Sequence, residues 1–293
     1  MGDHGVFSQR FSREQKHAIK AVYRKVKEKA VRMIASYTPV QMEKQFRSFG
    51  IEKNDAVLMH SAFTPFNGFQ GNPGHLIDCL LNVIGPEGHL FMMSMAYTGS
   101  ASAYLSLGKP FDVRKTVSQM GIVSETFRRR PGVVRSANPL HPVLAFGPRS
   151  DWIVSGHEQL AYSCGRGSPF EKMLELNAKV LFWDVGFDVM SFIHYLEDRF
   201  KDYSPTPVYL PEPLEATVIG NDGRETCSKL YVFDRQTIPR QNFDILKEAV
   251  VKDDLLKIGR IGNTKLYMIR LRDTMMRAQK LVESGTYFMA GSN

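Results

Sequence analysis

Lys179-Val-Leu-Phe-Trp183 runs through Asp184-Val-Gly-Phe-Asp188 into Met190-Ser-Phe-Ile-His-Tyr-Leu-Glu-Asp198. The first piece has the length and the β-branched and aromatic content of a buried strand. The last piece carries apolar residues at helical spacing, so a helix is expected around Ser191–Arg199. The same order occurs upstream. Ala56-Val-Leu-Met-His60 is a short apolar strand, a glycine-containing loop follows, and Leu76-Ile-Asp-Cys-Leu-Leu-Asn-Val-Ile84 reads as a helix. Gly85-Pro-Glu-Gly88 is a turn, and His89-Leu-Phe-Met-Met93 is another strand. Strand–helix–strand alternation of this kind predicts an α/β layered sheet.

Working outward, residues 97–119 read as a long polar loop, and a loop of that length in a compact domain is usually functional. Met120–Arg129 is a helix stopped by Pro131-Gly132. Pro205, Pro207, Pro211 and Pro213 mark a connector, after which the chain turns to β-hairpins at Asn221-Asp-Gly223 and Gly262-Asn263. At the other end, Phe11, Ile19, Val22, Val26, Ala30 and Ile34 recur at three- to four-residue steps between Lys and Arg residues. The stripe is expected to pack on the body or on a sister subunit, which is compatible with a homodimer. Thr38-Pro39 starts a second helix that ends near Gly50. Residues 1–53 are therefore expected to form a basic helical extension, and 54–293 the main body.

The chain has 293 residues, 43% hydrophobic and 23% charged, which excludes disorder and a disulfide scaffold. Cys79, Cys164 and Cys227 are odd in number and far apart, as suits a reducing cytosol. No apolar run suggests a membrane span or a secretory signal. The net charge is +8, and residues 1–53 hold 12 Lys and Arg against 5 acids. The basic character belongs to the head, so total charge is weak evidence for nucleic acid, and no such partner is expected.

No P-loop, HExxH or GxSxG pattern is present. His194 and Glu197, three apart on one helix face, can reach each other. A carboxylate that accepts from one imidazole nitrogen raises the basicity of the other, as a general base needs. The competing reading is a pair with structural meaning only. His60-Ser61 ends a strand, where Ser61 binds a ligand oxygen or His60 merely terminates the strand. Gly68, Gly71 and Gly74 precede a helix without dinucleotide-motif spacing. Arg135 and His141 flank a proline-stiffened segment that is either ligand-presenting or a connector. His4, His17, His75, His89 and His157 lack metal-ligand spacing, so no metal site is expected.

In order, these segments resemble the aminoglycoside 3-N-acetyltransferase family, the antibiotic N-acetyltransferases distinct from the small GNAT enzymes. The resemblance runs from about Val57 to Phe200. It rests on His60-Ser61, Gly71 with Ile77-Asp78, Val83-Ile-Gly-Pro-Glu-Gly88-His-Leu90, Phe111-Asp112, Met120-Gly121 and Glu125 with Phe127-Arg128. It continues through Pro131-Gly132, Arg135-Ser136, Pro139, His141, Gly147-Pro148, Gly165 and Gly167-Ser168-Pro169, and ends on Val185-Gly186, Asp188, Ser191, His194 and Glu197. It implies a three-layer α/β sandwich with a mixed central sheet, and acetyl transfer from acetyl-CoA to an amine on a sugar-like acceptor. It further implies His194 as base and Glu197 as its orienting carboxylate. Ser61, Ser94, Met120 and Gly121 are expected near the coenzyme, and Asp112, His141 and Asp188 near the acceptor.

The sequence also departs from the family. Val189 and Met190 follow Asp188 where small polar residues are frequent, Asn138 replaces a frequent His, and Met93 a common Pro. Residues 97–119 hold Lys109, Arg114 and Lys115 against one acid, Asp112, although a polycationic aminoglycoside calls for carboxylates. The expectation is therefore an amino sugar of a polysaccharide, nucleotide-sugar or natural-product pathway. Aminoglycoside acetylation conferring antibiotic resistance is the alternative, and acyl-CoA thioester hydrolysis a further one.

Overall fold

The computed structural model describes residues 12–234 and 243–288. Its strands are β1 (Ala56–Ser61), β2 (His89–Met93), β3 (Phe111–Asp112), β4 (Val134–Arg135), β5 (Val143–Phe146), β6 (Lys179–Trp183), β7 (Leu214–Ile219), β8 (Glu225–Leu230), β9 (Lys257–Ile261) and β10 (Thr264–Arg270). Its helices are α1 (Arg13–Ile34), α2 (Pro39–Ser48), α3 (Pro73–Ile84), α4 (Ala101–Leu105), α5 (Ile122–Arg128), α6 (Ser150–Val154), α7 (Pro169–Glu175), α8 (Ile193–Arg199), α9 (Asp244–Lys252) and α10 (Leu271–Glu283).

Seven strands make the central sheet in the order β4-β5-β2-β1-β6-β10-β9, and β3, β7 and β8 make a smaller one. β2, β1 and β6 run parallel, while β5 and β10 join them antiparallel from the two sides. The parallel strands read as unbroken apolar runs because both their faces are covered. Leu58, Val180 and Phe182 face one core with Phe170, Ile193, Leu246 and Leu271 from α7, α8, α9 and α10. Val57, Met59, Leu181 and Trp183 face the other, with Met42, Phe46, Leu76, Leu80 and Phe127 from α2, α3 and α5. The result is a three-layer α/β sandwich on a mixed sheet. Each fully buried Leu or Phe contributes roughly 1.5–3 kcal/mol.

Both hairpins form where Asn221-Asp-Gly223 and Gly262-Asn263 foretold them, as β7–β8 and β9–β10. The expected loop 97–119 is interrupted by α4 and by β3, which pairs with β7. The segments around Arg135 and His141 are not simple connectors, because β4 and β5 on either side extend the sheet.

The extension behaves unevenly. α2 buries Met42 and Phe46 in the core. On α1 Val31 is buried, but Ile19, Val22, Val26 and Ile34 of its apolar stripe are exposed, as are Tyr23 and Met33. Among the described residues the four stripe side chains do not pack on the body, which leaves packing on a sister subunit untested, and Phe11 and His4 lie outside the described residues. The end of α1 is pinned at Ala35. The Ala35 carbonyl lies where a Cβ at Gly68 or Gly262, both at positive φ, would come within 2.2 and 2.1 Å of it.

Candidate functional site

In the register of β1 on β6, Ser61 pairs with Trp183, so the two parallel strands end level on one edge. Such an edge is where open α/β sheets place their sites. The chain leaves β6 through a short turn anchored by buried Phe187 and Phe192 and enters α8. The Ser191 N–H donates to His60 Nε2 at 3.4 Å, and the His60 ring stacks on Phe182 at 5.5 Å between centroids. Burial pulls the His60 pKa down to about 4, so the ring is neutral and can accept that bond. His60 thus braces the start of α8.

On α8, His194 Nδ1 lies 2.6 Å from Glu197 Oε2. The Glu197 side chain is fully buried and that of His194 is 13% exposed. With Nδ1–H donating to the carboxylate, the lone pair of Nε2 is the basic site. The ring is flanked by His141 at 5.0 Å and Phe233 at 4.9 Å between centroids. His141 is itself fixed, with Nδ1 2.7 Å from Ser163 Oγ. Asn138 builds the loop that presents it, accepting the Leu140 and His141 N–H groups on Oδ1 and donating from Nδ2 to the His157 carbonyl. His157 lies beneath, fully buried between Ser136 Oγ and the Ser163 carbonyl, both at 2.8 Å.

Burial also pulls the His157 pKa down to about 4. An unfolded chain takes up protons on both His60 and His157 near pH 6.5, before the folded protein does. Their contribution to stability is therefore complete above pH 6.5 and is lost as pH falls toward 4. Each histidine contributes on the order of 3 kcal/mol over that range. Glu125, held at about 2 by its bond to Arg128 against the opposing effect of burial, titrates below this window. Urea midpoints should fall from pH 6.5 to 4.5, and less steeply in His157→Asn. Equal slopes in the two proteins would refute the assignment.

His141 and His194 line a cavity of about 320 Å³ with Met95, Tyr97, Met120, Leu140 and Phe233. A second cavity, of about 370 Å³, is lined by His60, Ser61, Met92, Gln119, Val189 and Ser191, and shares Met95 and Met120 with the first. The two form one trench with His194 in its first compartment. Tyr97 and Phe233 escaped the sequence reading. Phe233 arrives from beyond β8, far along the chain, and no local spacing announces it.

Of the residues expected near coenzyme or acceptor, Ser61, Met120 and His141 reach the trench. Gly121 caps α5 beside Met120 at φ 96°, where a Cβ would meet nothing within 4 Å. Ser94, Asp112 and Asp188 do not line either compartment. Ser94 is fully buried, and its Oγ has no partner among the described residues. Asp112 Oδ1 accepts the Arg114 and Lys115 N–H groups at 2.8 and 3.0 Å and so builds its own turn. Burial opposes the charge on Asp112, but these two N–H groups and the cations beside it overcome that and hold its pKa low. Asp188 is exposed and folds back over Gly186. Among the described residues, no group of three or more His, Cys, Asp or Glu could hold a metal ion, and no helix is long and apolar enough to cross a membrane.

A carboxylate-braced imidazole thus lines a cavity at the strand-end edge of the α/β sheet. The aminoglycoside 3-N-acetyltransferase family profile matches residues 58–283. The chain belongs to that family and is an acyltransferase. It is 23% identical over 264 residues to aminoglycoside N(3)-acetyltransferase III of Pseudomonas aeruginosa, covering 85% of this chain and 94% of that one. It is 28% identical over 239 residues to aminoglycoside N(3)-acetyltransferase IV of a Salmonella species, covering 80% and 83%. The fold matches a crystal structure of aminoglycoside acetyltransferase AAC(3)-Xa at TM-score 0.76 and 20% identity, over 90% of this chain and 99% of that one. It also matches AAC-IIIb solved as a binary complex with CoASH, at TM-score 0.72 and 20% identity, over 86% and 98%.

Proposed function

We propose that this chain transfers the acetyl group of acetyl-CoA directly to an amine of an aminoglycoside, with His194 as general base and Glu197 orienting it. The observation that carries this is the 2.6 Å His194–Glu197 bond inside the trench. An alkylammonium must lose a proton before it can attack a thioester, and a neutral imidazole at Nε2 takes it. The tetrahedral oxyanion that follows needs donors already in place, for which Ser61 and nearby backbone N–H groups are the candidates. The compartment beside Ser61 is walled by Met59, Met92, Met93, Met95 and Met120, with polar groups from Ser61, Gln119 and Ser191. That mixture fits the thin pantetheine arm of the donor, in which two amides and a hydroxyl alternate with short alkyl segments. His141 and Tyr97 then face the acceptor.

A second reading is an amino sugar of lower charge. It is favoured by the first compartment, which no carboxylate lines among the described residues. A panel of aminoglycosides and nucleotide-linked amino sugars, read by CoA release with acetyl-CoA, separates the two. The proposal expects aminoglycosides to turn over efficiently. Turnover of nucleotide-linked amino sugars alone would transfer the assignment to the second reading, and CoA release without any amine would make the chain a thioester hydrolase.

A further inference from the structure

α1 precedes the matched family segment, and none of its residues lines either compartment of the trench. It is 22 residues long and so extends about 33 Å. At roughly 100° per residue, Ile19, Val22, Tyr23, Val26, Met33 and Ile34 fall within an arc of about 120° around the helix. Each of the six is more than half exposed. Val31 is the one buried side chain among those described on α1, and it points about 120° away from the middle of that arc.

The side that buries Val31 is the side that holds α1 to the body. Arg24 and Lys27 reach across it and sit 5.8 and 5.2 Å from the centre of the Phe66 ring, in the loop that leaves β1. The apolar arc is therefore turned outward. Lysines border it on both flanks, with Lys20 and Lys27 along one edge and Lys25 and Lys29 along the other, all exposed. Over its whole length α1 carries eight Lys and Arg against Glu14 and Glu28. Among the described residues its one ion pair is Arg32 to Glu28, at 2.9 Å.

Charge decides what can cover such a face. A second copy laid along the arc would bring lysine against lysine at the flanking positions, where helix pairs are held by opposite charges. A nucleic-acid backbone would satisfy the lysines but offers nothing apolar to the strip between them. An anionic bilayer supplies both partners. Its acyl boundary takes the apolar strip, and the lysine stems reach from the strip's edges to the phosphate headgroups. We propose that α1 lies flat on an anionic phospholipid surface through this face and carries the transferase body there. The helix rests on the membrane and does not cross it, which its charge content forbids.

The test is co-sedimentation of the full chain with vesicles of pure phosphatidylcholine and with vesicles of phosphatidylcholine and phosphatidylglycerol in equal parts. Two variants accompany it, I19Q/V22Q/V26Q for the strip and K20Q/K25Q/K29Q for its borders. Glutamine is a good helix former and all six side chains are on the surface, so both variants should melt at the parent's temperature. The parent is expected to partition onto the anionic vesicles, to stay in solution beside the neutral ones, and to be released as salt is raised. The lysine variant should partition on the order of a hundredfold less, from the loss of three cations at the headgroups. The strip variant should lose at least about tenfold, from the apolar area it no longer buries. A parent protein that ignores the anionic vesicles, or that takes up both kinds equally, overturns the proposal. So does a parent that sediments without lipid as a dimer which I19Q/V22Q/V26Q converts to a monomer, because the occupant of the face is then a second copy.

Discussion

Replacing His194 with alanine is expected to lower kcat for acetyl transfer by about a thousandfold, within the range typical of a lost general base. The side chain makes one short bond, to Glu197, and otherwise faces the trench, so the fold should survive its removal. Far-ultraviolet circular dichroism and the melting temperature should therefore stay close to those of the parent. Glu197→Gln should also slow the reaction, by about ten- to a hundredfold, because the amide keeps the shape but not the charge that stabilises the imidazolium. The two residues act as a unit, so the double variant should be little slower than His194→Ala alone. Steady-state rates at saturating acceptor read this directly. A His194→Ala protein within threefold of the parent kcat would remove the proposed base.

Arg135→Ala is expected to cost about 3 kcal/mol of stability or more, because it strips a buried cation from a network of carbonyls. Arg135 Nη1 donates to the Thr116 carbonyl at 2.6 Å, Nη2 donates to the Ser94 carbonyl, and the guanidinium sits 4.5 Å from the centre of the Phe111 ring. Burial lowers its pKa to about 9, which still leaves it charged at neutral pH. Truncation leaves both carbonyls unpaired around a cavity and unties the turn after β3 from the end of β2. That turn leads into Gln119 and Met120, which wall the trench, so activity should fall in the fraction that remains folded. Arg135→Lys should recover part of the stability, since one ammonium can serve some of the carbonyls but cannot copy the planar fork. Urea unfolding of the three proteins measures this, and an unchanged midpoint for Arg135→Ala would show that the network carries no weight.

The chain's own sequence determined what depends on neighbours along it. Lys179–Trp183 and Ala56–His60 are legible as strands because burial on both faces leaves apolar runs, and the hairpins because Asn-Asp-Gly and Gly-Asn turns are local chemistry. The His194–Glu197 pair was legible for the same reason, since three residues along a helix fixes which side chains share a face. The partners across the trench were not legible. Phe233 meets His194 only because the segment after β8 folds back across the trench, and β4 and β5 are too short to announce themselves before they find β2. Asp112, Ser94 and Asp188 have residue types that suit a binding site, yet the turn, the burial and the fold-back that occupy them arise from packing. The exposed stripe of α1 makes the same point in reverse. Periodicity establishes that a helix is amphipathic, but which face meets the body is decided by where its end is pinned, here by the Ala35 carbonyl against Gly68 and Gly262.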